Sequence, residues 1–534
     1  MLFGMTRFIP LVAAAALFAL SFYGLQFFKW LIVPVILFGW LTFMGLYDVI
    51  QTPHTLWRNF PIVGRLRWII RGLRPFLRSY IVESETEGRP FSHEARNTIY
   101  RRAKNVTSVE PFGSHLDIDS PPYEWLAHSM AAKDPAKEGF RTTIGAPGTA
   151  QPYSSSVFNI SAMSFGSLGA KAIESLNRGA AKGGFYHATG EGGISRYHKA
   201  GGADLVWELE SGYFGCRAKD GSFDPVRFKE NASSDQVKMI EVKLSQGAKP
   251  GHGGVLPGSK VTREIAEARG VEIGQTCLSP PYHSAFSTPI ELMEFLQQLR
   301  ELSGGKPVGI KFCAGNRWEV LALCKAMLET ELRTDFVIVD GAEGGTGAAP
   351  AEFLDHIGAP LRQGLVLTRN ALVGTGLKDD VSLGVSGKQV SAFALASSMA
   401  LGADFVNSAR GFMFALGCIQ SLHCHTNTCP TGIATSDKNR QRGLVIPDKA
   451  ERVYHFHNNT MHALAEVVAA AGCHHPSELT PSHIMHRVTE DLALPADQAY
   501  QLLDPRELLD RPAATHLKQE WALAQAQSFD PLKV

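Results

Sequence analysis

Two kinds of hydrophobic pattern divide this chain. Residues 8–28 carry no charge, Lys29 interrupts, and residues 30–47 are again uncharged. A bilayer crossing takes about 20 apolar residues, in a range of roughly 17–25. Both stretches therefore predict membrane-spanning helices, joined by a very short turn around 26–29. From about residue 150 the pattern changes to short apolar runs alternating with helical-period segments. Candidate strands are 157–163, 184–189, 205–209, 239–244, 308–312, 336–339, 381–385 and 405–408, with helical patterns such as 288–302 and 317–330 between them. Eight strands separated mostly by helices predict an α/β fold of the (β/α)8 barrel type. The expected organisation is a hairpin at 1–50, a basic lead-in at 51–150, the barrel at 151–475 and a helical extension with Pro breaks at 476–534.

The flanks of the hairpin carry an orientation. Arg58, Arg65, Arg67, Arg71, Arg74 and Arg78 follow it, and no acidic residue stands between Asp48 and Glu83. Such a basic flank stays cytoplasmic, and Arg7 on the other side agrees. The expectation is a two-pass membrane protein with its barrel on the cytoplasmic side. A cleaved signal peptide is the competing reading, since four alanines stand at 13–16, but the apolar run continues past them without a polar break. Residues 57–80 mix Arg with Trp, Ile, Leu and Phe. They read either as an amphipathic helix on the headgroup surface or as a basic linker.

Charge and cysteine usage narrow the class. Lys+Arg number 52 against 51 Asp+Glu, so nothing favours a nucleic-acid partner. Eight cysteines in 534 residues make no disulfide scaffold. Three of them, Cys418, Cys424 and Cys429, are spaced C-x5-C-x4-C beside Gly, Asn and Pro. Thiolate sulfur is the soft ligand of iron–sulfur clusters, and closely spaced cysteines build such sites. The triplet suits a three-iron cluster, or a four-iron cluster with one ligand from elsewhere. Buried cysteines acting as small hydrophobes are the plainer alternative. His423 and His425 flank Cys424, and His474 and His475 form a second pair; these read as cap and loop histidines.

Glycine clumps fall at the predicted strand ends, where the active sites of such barrels lie. They include GEGG after the second strand, GHGG after the fourth and GAEGGTG after the sixth. Glycine lets backbone approach a ligand closely, so Gly344, Gly345 and Thr346 are candidate cofactor contacts. Ser386-Gly387-Lys388 and Ala409-Arg410-Gly411 follow the seventh and eighth strands, where phosphate sites recur. Each offers turn N–H groups and one cation. GTGL at 374–377 is too short for a dinucleotide fingerprint, so direct NAD(P)H oxidation is not indicated.

The stretches ISAMSFGSLG, ATGEGGIS, SGYFGCR, VKLSQGAKPGHGGVLPG, PPYHS, VDGAEGGTGAAP and NSARGFMFALGCIQSLHCHTNTCPTGIAT run from about 157 to 435. In order and spacing they resemble the FMN-binding synthase domain of glutamate synthase, and more closely a membrane-associated group of that family. The resemblance implies a barrel holding FMN and a 3Fe–4S cluster on Cys418, Cys424 and Cys429. It implies reduction of 2-oxoglutarate plus ammonia, through an imine, to glutamate. It places Met163, Ser164 and Phe165 along the flavin, and Glu191, Gln246 and Lys249 as the catalytic set. Lys249 would hold a carboxylate or polarise a carbonyl, and Glu191 would orient ammonia or move a proton.

Departures from the family pattern are also plain. Nothing resembles a glutaminase domain, so glutamine hydrolysis is not expected. The family loop GEGGQ reads here Gly251-His252-Gly253-Gly254-Val255, which puts 2-oxoglutarate itself in question. The electron donor is open between ferredoxin, a partner reductase and a membrane carrier. Three hypotheses follow: a membrane-anchored glutamate synthase-like oxidoreductase, a flavoprotein reducing another carbonyl, imine or quinone, and a non-catalytic membrane scaffold.

Overall fold

The computed structural model describes residues 6–107, 109–146 and 148–533, and the chain separates into two compact units, Met1–His93 and Glu94–Val534.

In the first unit, helices Ile9–Gly24 and Ile32–Ile50 pack against each other as a hairpin. With their leading turns they form apolar stretches of 19 and 22 residues, long enough to cross a bilayer. Most of their large side chains point outward: Leu20, Trp40 and Phe43 are among those exposed. Asp48 is buried. It accepts from Arg65 at 2.9 Å through Nε and 2.6 Å through Nη2, and from the Ile62 N–H at 3.0 Å. The next helix, Leu66–Leu77, repeats two stripes: Leu66, Ile69, Ile70, Leu73 and Leu77 on one side, Arg67, Arg71 and Arg74 on the other. That spacing makes an amphipathic helix with a basic face.

The second unit is built on eight parallel strands: β1 Phe158–Ile160, β2 His187–Ala188, β3 Leu205–Leu209, β4 Val237–Lys243, β5 Val308–Phe312, β6 Phe336–Asp340, β7 Ser382–Ser386 and β8 Phe405–Ser408. They pair in chain order, and β8 closes on β1 to complete the barrel. Successive residues alternate between the barrel lumen and the helix layer. An apolar floor of Val206, Met239, Phe336, Ile338 and Phe405 fills the end where the strands begin. Ile144 and Tyr153, from the antiparallel hairpin Arg141–Ile144/Tyr153–Ser156, pack into the same cluster and cap it. Gly309 and Gly384 are required there, because a Cβ at either would strike the rings of Phe336 and Phe405.

Asp335, fully buried just before β6, ties this end together. It accepts from the Ala146 and Val308 N–H groups at 2.7 and 2.8 Å, from the Thr149 hydroxyl at 2.5 Å, and from Arg300 at 2.8 and 3.1 Å. Residues 476–534 contain short helices, but also strands Ile484–Arg487 and Ala493–Pro495, which form a three-stranded sheet with Glu124–Leu126.

Candidate active site

The C-terminal ends of the strands surround one open cavity. Its floor is charged. Glu208 on β3, Lys311 on β5 and Asp340 on β6 line it, each on the lumen side of an otherwise apolar strand. Below and beside them stand Glu241 and Lys243 of β4.

Lys311 donates to Glu208 and lies 2.6 Å from Glu241 Oε1, off the line of a good hydrogen bond. Glu208 and Glu241 both pair with Lys311, and the charge of one opposes that of the other, which favours a proton on one of them. Burial pushes Glu241 up to about 8, against the pull of Lys311 and with the help of Glu208, so Glu241 carries that proton at neutral pH. Lys243 donates to Glu191 and sits 3.5 Å from Glu210 and 3.7 Å from Glu208. Burial alone would neutralise Lys243, but the three carboxylates hold its ammonium above the usual range. Glu191 shows the converse. Burial works against its charge, yet Lys243, Lys249 and Arg269 carry it down to about 2.

Of the predicted catalytic residues, Glu191, Gln246 and Lys249 all line this cavity. Gln246 accepts from Lys243 at 3.2 Å, which fixes it beside Glu191. Lys249 is buried, and burial lowers its ammonium, partly opposed by Glu191. Such a cation, dry and facing a carboxylate, can bind or polarise an anionic substrate.

The predicted cofactor contacts form the opposite wall. Met163 and Ser164 line it, as do Gly344, Gly345, Thr346, Ser386, Gly387, Lys388, Ala409 and Arg410. Phe165 and Gly411 do not; both are buried, Phe165 against the Tyr197 ring and Gly411 beside Ser408 and Phe456. Ser386 donates to Asp340, which also accepts from the Gly247 N–H at 2.7 Å, so the turn after β7 is fixed to the turn after β4. The Arg410 guanidinium donates to the Thr346 carbonyl and approaches Cys424 Sγ at 4.0 Å. It thus joins the β6 and β8 loops and faces the cysteines. In the departing GHGGV loop, Val255 lines the cavity, whereas His252 faces a smaller neighbouring cavity and meets the Phe353 ring edge-on.

Cys424 lines the same cavity, and Cys418 and Cys429 stand close enough for their charges to interact. Among the described residues no three His, Cys, Asp or Glu side chains converge as they would around a single ion. The loop is shaped by left-handed backbone at Gln420, Leu422 and Asn427, and is pinned where Asn427 Oδ1 accepts from Thr435, Ser436 N–H and Ser436 O–H. The environment suits sulfur that carries negative charge. Burial would raise the Cys429 thiol, but hydrogen bonds from the Thr431 hydroxyl and the N–H groups of Ala434, Thr431 and Ile433 bring it below its ordinary value. Burial pushes the Cys418 thiol up to about 11. N–H groups and cations around sulfur are what a cluster site supplies, so these residues fit the group that the triplet spacing suggests.

Sequence reasoning passed over Glu208, Glu210, Glu241, Lys243, Arg269, Lys311, Asp340 and Lys260. For the strand residues a signal was available, since a charged residue in LVWEL, VGIKF or FVIVD needs a partner inside the barrel. Lys260 left no such signal. It is 2% exposed and donates to the carbonyls of Ser167 at 3.0 Å and Cys424 at 3.2 Å. Burial pushes its ammonium down to about 8, against the pull of Cys424 and Cys429.

Residues 146–474 match the family model described as the conserved region in glutamate synthase. The glutamate synthase large subunit-like protein YerD of Bacillus subtilis is 35% identical over 496 residues, covering 85% of this chain and 93% of that protein. The archaeal glutamate synthase [NADPH] of Methanocaldococcus jannaschii is 33% identical over 315 residues, and the match spans 59% of this chain and 58% of that enzyme. Among solved structures, a flavocytochrome b2 mutant with pyruvate bound covers 79% of this chain and 86% of its own, at 14% identity and a TM-score of 0.42. That last likeness is too slight to build on.

Proposed function

The chain belongs to the glutamate synthase family, and from that membership we propose a membrane-anchored oxidoreductase that makes glutamate from 2-oxoglutarate and ammonia, using FMN and an iron–sulfur cluster. It is an enzyme of the class acting on CH–NH2 donors. The observation that carries the reading is the shared cavity: the carboxylate–lysine floor, the glycine-rich wall and Cys424 all face one space. The two apolar helices of the first unit supply the anchor, with the barrel on the cytoplasmic side.

FMN would supply hydride to the bound carbon, and the cluster would bring single electrons from a ferredoxin, reductase or membrane carrier. Met163, Ser164 and the Gly344–Thr346 loop would hold the flavin, with Ser386–Lys388 and Ala409–Arg410 toward its phosphate. Cys418, Cys424 and Cys429 would hold three irons. The residues of the chain do the rest. Lys249 binds the carboxylate of the oxoacid and polarises its carbonyl. Glu191, ionised and held by Lys243, orients ammonia and takes its proton as the C–N bond forms. The carbonyl oxygen then leaves as water, taking the proton that Glu191 accepted and a second from the same nitrogen, and the C=N bond of the imine replaces the C–O bond.

Val255 gives the second reading its footing. An apolar residue lines the cavity where the family places glutamine, which suits an oxoacid or imine less polar than 2-oxoglutarate.

Anaerobically purified protein is expected to carry FMN and about three irons per chain. Dithionite-reduced protein should be reoxidised by 2-oxoglutarate plus ammonium. If another carbonyl, imine or quinone reoxidises it and this pair does not, the second reading replaces the first. Lys249→Ala should abolish turnover while FMN stays bound; unchanged turnover would remove Lys249 from the mechanism.

A further inference from the structure

Lys260 stands in the wall between the cavity and the cysteine loop. Its side chain lines the cavity, and its ammonium reaches behind the wall to two carbonyls. One belongs to Ser167, at the end of the loop that carries Met163 and Ser164. The other belongs to Cys424 itself. Cys424 and Cys429 are the negative-going groups that act most on the Lys260 charge, and Arg269 is a cation that opposes it. Those two neutral carbonyls do not cancel an ammonium. Among the described residues no carboxylate is bonded to this lysine, which is 2% exposed, and a cation so buried calls for a negative partner. Arg410, on the other side of Cys424, is placed differently: it is only partly buried and is bonded to the Thr346 carbonyl.

We infer that Lys260 is a positioning charge that raises the reduction potential of the iron–sulfur centre held by Cys418, Cys424 and Cys429. The inference rests on the cofactor reading above. A thiolate-ligated centre gains one negative charge when it takes one electron. A fixed cation beside it in a dry wall stabilises the reduced form, because coulombic terms grow as the local dielectric falls. Net charge and hydrogen bonding around the sulfurs are known determinants of cluster potential. The same side chain lines the cavity, so its charge also favours electron density on that side. Lys260 thereby lowers the energy of an electron at either site.

The test is a redox titration of the full-length, iron-loaded protein, read by the spectroscopic signal of the centre. Lys260→Gln keeps two N–H donors for the Ser167 and Cys424 carbonyls but removes the charge. Its potential should fall so that, at fixed poise, the ratio of reduced to oxidised centre drops at least tenfold, or 59 mV for one electron. Lys260→Arg restores the charge and should recover most of that shift. An iron-loaded Gln variant with the wild-type potential overturns the inference and leaves the cofactor reading intact. Wild-type protein without iron overturns the cofactor reading, and this inference with it. If Gln loses the iron and Arg keeps it, the cation is needed to hold the centre's negative charge, which supports the assignment. Loss of iron in both variants assigns Lys260 to packing alone and overturns it.

Discussion

The hairpin unit and the barrel unit are built inside out with respect to each other. In the first, apolar side chains face outward: Phe43 is 74% exposed and Ile50 75%. Its one acid within the spans, Asp48, is buried against Arg65. In the second, Phe158, Phe405 and Phe412 are fully buried, and a set of lysines and carboxylates is enclosed as well. Proteins surrounded by water rarely bare contiguous apolar surface of this kind, whereas a bilayer requires it. The difference is the one expected of a chain that serves two surroundings, as the proposed anchoring requires. The barrel encloses charge at both ends: the lysines and carboxylates at the cavity, and Asp335 with Arg300 where the strands begin.

The largest test of that contrast is partition. The full chain should stay with membranes through high salt and alkaline carbonate, and leave only with detergent. Residues 94–534 alone should be recovered in the soluble fraction. A full chain released by salt would mean that the bare helices meet protein rather than lipid, and the contrast would fail.

A second test asks whether each buried acid serves its own unit. Asp335 accepts five hydrogen bonds with both oxygens, two of them from Arg300. Asp335→Asn replaces one acceptor with a donor aimed at donors and leaves Arg300 uncompensated, at a cost of about 3–5 kcal/mol. Thermal unfolding of the barrel, followed by its aromatic signals, should move down accordingly. Asp48→Asn should leave that transition in place. A common shift in both variants would mean that the units unfold together.

Much of the barrel was legible in advance. All eight strands lie where the apolar runs put them, and 205–209, 308–312 and 405–408 have the predicted bounds. Those runs are rich in aliphatic, β-branched and aromatic residues, so the apolar pattern alone placed them. The second strand shrank from 184–189 to His187–Ala188, because Gly184 takes a left-handed turn that ends the preceding helix. The strands 484–487 and 493–495 went unread, since each is three or four residues long; the first pairs across more than 350 positions with Glu124–Leu126, and the second pairs only with the first. The site was legible as motifs and illegible as a network. The cysteine spacing and the glycine clumps are local, but Lys260 meets Cys424 only through tertiary folding. Val255 and His252, adjacent in the sequence argument, turned out to face different cavities.

The smallest test concerns the proton enclosed with the charges. Glu241 is raised from the ordinary carboxyl value of 4.5 to about 8, chiefly by burial. A raised carboxyl binds its proton more tightly in the folded chain than in the unfolded one. Its stabilisation is therefore complete below 4.5 and is lost as pH rises through the folded value. Buried histidines such as His198 and His283, lowered to about 3 and about 4, act in the opposite sense as pH rises toward their ordinary 6.5. A bare stability profile would mix these effects, so the comparison must be between variants. Glu241→Gln imitates the protonated carboxyl at every pH and leaves the histidines in place. It should match the wild type near pH 5 and gain on it by about 1–4 kcal/mol by about pH 9, measured by denaturant unfolding in matched detergent. A difference that stays flat across that range would mean that Glu241 is ionised throughout. Lys311 would then be answering two carboxylates, Glu208 and Glu241, and the barrel would be enclosing one more negative charge than a protonated Glu241 leaves it.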